Sequence, residues 1–153
     1  MADRNSGAWQ RFENGAILLL SGTDEIKNLV PGTLRYRVPQ RERIVNMDRG
    51  VIGVVTIGDQ RMCEIEFELH RTDNLDALIA LFKPAVTAGV DVPVAMTVKI
   101  PDYLGATTGN SLAFAKCFMD EGEEHQASGS GQDADKVRFH FNDAEAAPTP
   151  GTY

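Results

Sequence analysis

Glu64, Glu66 and Glu68 recur at every second position. On an extended chain they stand on one face, repeating every ~7 Å. The screening length at physiological salt is ~8 Å, so neighbours at that spacing still repel. Two readings follow: a solvated face neutralised by cross-strand Arg or Lys, or a wall that must stay negative. A second cluster, Arg35, Arg37, Arg41 and Arg43, is opposed locally only by Glu42. It suits either pairing with the glutamates or complementarity to an acidic surface on another copy. A nucleic-acid patch is less expected in a chain of net charge -7.

The other reactive side chains form no constellation. His70 and His140 fall on polar strand faces, and His125 falls in an acidic stretch. Cys63 and Cys117 lie far apart with no nearby partner, which suits ordinary packing rather than zinc. Asp133 and Asp135 beside Gly131 lack the twelve-residue spacing and terminal glutamate of a calcium loop. No Gly-x-x-x-x-Gly-Lys-Ser/Thr loop and no Gly-x-Ser-x-Gly elbow exists. Ser128-Gly129-Ser130-Gly131 reads as a linker, with no helix behind it to cradle a phosphate. The expectation is a protein with no catalytic residue, no metal and no cofactor, and not an enzyme.

The elements that must position these residues read mostly as strands. Met62 to Arg71 alternates over its length, with Cys63, Ile65, Phe67 and Leu69 on one face. Ala16–Leu20, Leu34–Val38, Val94–Ile100 and Lys136–Phe141 are further strands, and Ser111–Met119, apolar on both faces, suggests a buried one. One helix is expected from Asp73 to Phe82, with Leu75, Leu78, Ile79 and Phe82 as its stripe, Thr72 or Asp73 as its cap and Pro84 as its stop. The fold class is therefore β-rich α+β: an antiparallel sandwich or barrel flanked by one helix. Residues 1–143 form a single domain on this reading. Within it, 39–58 is a hairpin-like excursion, the acidic Gly/Ser-rich 120–135 a loop, and 144–153 a flexible tail.

Composition agrees. The chain has 153 residues, 42% hydrophobic and 24% charged, with a net charge of -7. Residues 1–71 carry 10 basic and 10 acidic side chains, and 72–153 carry 5 and 12, so the second part holds the entire excess. Such a surface repels phosphates in general. The start lacks the order of a signal peptide, no apolar run spans a bilayer, and no membrane insertion is expected.

The order of elements from Gly15 to Phe141 resembles the major tail tube proteins of long-tailed, siphovirus-like bacteriophages, whose fold is shared with type VI secretion tubes. An apolar opening strand, Ala16–Leu20, precedes Pro31-Gly32-Thr33-Leu34-Arg35-Tyr36. A long connection with Arg49-Gly50-Val51 follows, then Gly58-Asp59-Gln60 leads into the alternating strand, the helix and three further strands. The resemblance implies a structural virion protein of the viral tail, assembled in the host cytoplasm. It implies hexameric rings that stack into a hollow tube for DNA ejection. Glu64, Glu66 and Glu68 would face the lumen, repelling DNA without binding it. Arg35, Arg37, Arg41 and Arg43, with Val51, Ile52, Val54 and Val55 of the excursion, would make inter-subunit contacts. The implied partners are further copies of the chain, the tape measure, tail tip and terminator, and DNA in transit. The alternatives are a tail terminator or secretion-tube-like ring protein, or a small β-barrel ligand-binding or enzymatic domain.

Overall fold

The computed structural model describes residues 3–5, 7, 10, 16–83, 92–102, 105–120, 122–127, 129, 135–143 and 148–152. Its elements are β1 (Ile17–Leu20), β2 (Asp24–Glu25), β3 (Arg35–Arg37), β4 (Arg43–Asp48), β5 (Val51–Ile57), β6 (Cys63–His70), α1 (Leu75–Phe82), β7 (Val94–Asp102), β8 (Gly105–Met119), β9 (Glu124–Gln126), β10 (Lys136–Asp143) and β11 (Thr149–Thr152). It is a mostly antiparallel β protein with one helix among the described residues, a β-rich α+β fold as the alternation foretells. No described helix is long and apolar enough to cross a membrane.

The main sheet runs β2-β1-β7-β8-β10-β6-β3. Its two edges are joined by residues 24–30. β2 pairs with β1, and the Ile26 N–H donates to Leu18 O at 2.9 Å. At the other end, Val30 N–H donates to Glu68 O and His70 N–H to Asn28 O. The sheet thus rolls up on itself, which removes edges that would otherwise recruit other strands. Short strands fill the remaining half-edges. β10 covers β8 only over Cys117–Met119, and β11 pairs lower down β8, from Asn110 to Ala113. β9 pairs with the start of β10, where β8 does not reach.

Inside the roll, Phe67 stacks on Phe139 at 5.4 Å and on Phe141 at 5.8 Å, and Phe82 of α1 meets all three edge-on. Val94, Met96, Val98 and Ile100 complete the alternation from β7.

Four expectations change. The helix begins at Leu75, and neither Thr72 nor Asp73 caps it. Its N-cap is Asn74 without a side-chain bond, while the Thr72 carbonyl accepts the Leu75 N–H. Pro84 lies outside the described residues. β8 is not buried on both faces: Phe114 and Cys117 point inward, but Ala115 and Lys116 are exposed. The pairing shifts between Val94 opposite Cys117 and Met96 opposite Phe114, so one extra β8 residue is accommodated as a bulge. The acidic 120–135 segment contains β9, and the tail contains β11. Asp133, Gly131, Ser128 and Ser130 lie outside the described residues.

Gly109 is required where β8 passes the end of β7. A Cβ there would run into the Ile100 carbonyl and sit 2.8 Å from Pro101 Cα.

Candidate functional site

Two surfaces collect the residues singled out above. The first is the outer face of β6. Its inward residues are fully covered, so Glu64, Glu66 and Glu68 point away from the core. They do not form a bare acidic stripe. In register, Glu66 lies opposite Arg35 on β3 and His140 on β10, Glu64 opposite Arg37 and Asn142, and Glu68 opposite Arg138. The Arg138 guanidinium is ion-paired with Glu66, and Arg35 stands 4.0 Å from the same carboxylate. The cross-strand alternative describes this face, and its signs interleave.

Beside it opens a cleft of about 510 Å³ lined by Glu64, Asp120, Glu123, Glu124, Arg138 and His140. His140 Nδ1 is 3.4 Å from Asp120 and Nε2 is 3.9 Å from Glu64. The Lys83 ammonium, hydrogen-bonded to Glu123, holds that carboxyl below its usual range. His125 Nε2 lies 3.7 Å from Glu123 and its Nδ1 3.3 Å from Arg71, so it sits on β9 rather than in a loose loop. His70 shares the outer face of β6.

The cysteines flank Asp143. Cys63 and Cys117 each lie directly opposite it, on the strands either side of β10. Two strand spacings, ~9.5 Å, separate them, beyond the ~7 Å a disulfide spans. Burial first, and the Asp143 carboxylate second, pushes the Cys117 thiol up to about 12 and raises Cys63. Among the described residues no three His, Cys, Asp or Glu side chains come together to hold a metal.

The second surface is the excursion. β4 and β5 form a two-stranded sheet with no ladder to the main one. Arg49 and Gly50, both at positive φ, make the two-residue turn. At the base, Arg41 donates through Nε and Nη2 to Gly58 O, which closes the hairpin and commits this arginine within the chain. No ion pair holds Arg37, Arg43 or Arg49 among the described residues. Val51, Ile52, Val54 and Val55 are all exposed, Val51 by 68%.

One feature escaped the linear reading. The register shifts between Asn46 and Met47, so Asn46 faces Val54 and Met47 faces Ile52, with Gly53 left over. This bulge sorts the hairpin into unlike faces. Val45, Met47, Ile52, Val55 and Ile57 share one side. Ile44, Val54 and Val51 share the other with Asn46, Asp48 and Thr56. Without the register, the run 51–57 reads as uniformly apolar.

No family model and no curated protein matches the chain. Solved structures do. The cap terminating the tube of the anti-feeding prophage aligns with a TM-score of 0.67 at 10% identity, over 99% of this chain and 95% of that one. The sheath/tube terminator of the PVC extracellular contractile injection system, in its extended state, gives 0.60 at 10% identity, over 92% and 94%. A chain of the PVC sheath-tube complex gives 0.57 at 10% identity, over 90% and 87%. The fold is that of tail-tube-related proteins. The neighbours are components of contractile injection systems, so the expected likeness is shown at the level of tail tubes and not for siphovirus major tail tube proteins in particular. At this identity they establish the fold alone.

Proposed function

We propose that this chain is a non-enzymatic structural protein that assembles with its own copies into a closed ring and ends a tail tube of the phage-like kind. The carrying observation is the Arg43–Ile57 hairpin, apolar and exposed along both strands in the isolated chain. A contiguous surface of that kind marks a protein contact. The two terminators among the structural neighbours, aligned over nearly their whole length, support a terminator over a repeating tube subunit. The chain from the sheath-tube complex supports tube subunit as the second reading.

On this reading Arg43 joins Val45, Met47, Ile52 and Val55 at the inter-subunit contact. The β6 outer face lines the channel with Glu64, Glu66 and Glu68 interleaved with Arg35, Arg37 and Arg138. Such a face neither holds nor expels DNA by net charge. Negative-stain electron microscopy of concentrated protein tests the assembly. Single rings are expected; long hollow tubes favour the tube subunit, and monomers overturn both. Averaged ring images show which face lines the channel.

A further inference from the structure

The hairpin's apolar face needs an apolar counter-surface, and the structure offers one. Outside the hairpin and its flanks Val38 and Met62, the large apolar side chains exposed among the described residues are Leu81 and Val92. Leu81, 58% exposed on α1, borders a groove of about 400 Å³. Leu20, Ile26, Leu69, Leu75 and Leu78 form its floor. Asp24 and Glu25 stand on its rim, exposed.

We propose that this groove, between α1 and residues 24–28, receives the Val45/Met47/Ile52/Val55/Ile57 face of the hairpin of a second copy. The proposal rests on the ring reading above and names the receptor surface for it.

Three observations converge. The chemistry matches, because the groove has an apolar floor, whereas the cleft lined by Glu64, Asp120, Glu123, Glu124, Arg138 and His140 has none. The charges match: Arg43 flanks the apolar face with no ion-pair partner among the described residues, and Asp24 flanks the groove beside Glu25, whose carboxylate is shared with Lys27 on the same rim. Exposed pairs of this kind guide register more than they add affinity. Within one chain the hairpin does not dock on the groove, since its apolar side chains stay exposed. The hairpin leaves the sheet beside Cys63 and Arg37, while the groove lies at the Leu69–His70 end of β6. Eight residues of β6 put the two ends roughly 23 Å apart. Unlike surfaces at opposite ends of one strand make a head-to-tail contact, which closes into a ring when the rotation between copies permits.

The test is a complementation of two variants, read by analytical ultracentrifugation alongside wild type. One carries Met47→Asp with Ile52→Asp and keeps its groove. The other carries Leu81→Asp and keeps its hairpin. Each alone is expected to be monomeric, and an equimolar mixture is expected to stop at a heterodimer, since one intact interface remains. Asp24→Arg with Glu25→Arg, on exposed positions, weakens association at least tenfold and is rescued by Arg43→Glu. If Leu81→Asp still forms rings, or pairs with itself, the groove is not the receptor. A mixture that stays monomeric while wild type forms rings also overturns it. Wild type that is monomeric at high concentration instead removes the ring reading itself, and this proposal with it.

Discussion

The β6–β10 pair and the β4–β5 hairpin are both antiparallel ladders rich in apolar residues, yet they meet opposite environments. In β6–β10 every second side chain enters a closed interior and the outward ones are polar, with Glu66 ion-paired to Arg138. In β4–β5 both faces are open, and a bulge gathers Val45, Met47, Ile52, Val55 and Ile57 on one of them. The first pair stabilises the chain itself. The second contributes little to the isolated fold and has surface to bury elsewhere. Apolar content alone does not separate the two roles; the pairing partner and the parity of side chains do.

The contrast is easiest to break in the interior. Phe67→Ala removes a ring held by Phe82, Phe139 and Phe141, and is expected to cost about 3–5 kcal/mol in urea unfolding. The next effect depends on pH. The folded Cys117 thiol ionises near 12 rather than 9.0. The folded chain therefore keeps a proton that the unfolded chain releases, so stability is full below about pH 9 and falls as pH rises toward about 12. Cys117→Ala flattens that slope in thermal melts at alkaline pH. On the outer face the expectation shrinks. Arg138→Ala costs about 0.2–1 kcal/mol, because the pair with Glu66 is partly exposed and Arg35 stays close. Val45→Thr with Val55→Thr should change monomer stability by less than about 0.5 kcal/mol, while weakening self-association in ultracentrifugation. A large loss of monomer stability from that pair would erase the distinction between the regions.

The interior was legible in the sequence because Cys63–His70, Val94–Ile100 and Lys136–Phe141 alternate with period two, and burial leaves that trace. α1 was legible from Leu75, Leu78, Ile79 and Phe82, but its cap was not, since a backbone carbonyl replaces the side chain expected there. β9, β11 and the first part of β8 were not legible. They are polar or glycine-rich and owe their strand form to the strands they pair with: β10 for β9, β8 for β11 and the end of β7 for the first part of β8. The candidate site divides the same way. The glutamate stripe and the exposed excursion could be named from spacing. The interleaving of Arg35 and Arg138, and the two faces of the hairpin, depend on register across strands.

The strand order also dictates when the molecule can close during its own synthesis. β10 sits between β6 and β8 but follows both along the chain, so it leaves the ribosome after them. Until residue 143 has emerged, the apolar side of β6 and the hairpin before it are both uncovered in a nascent chain, which is when such surfaces attract wrong neighbours. Completion of β10 hides one of them and leaves the other displayed. A copy thus presents the hairpin against a finished body only after β10 has been translated.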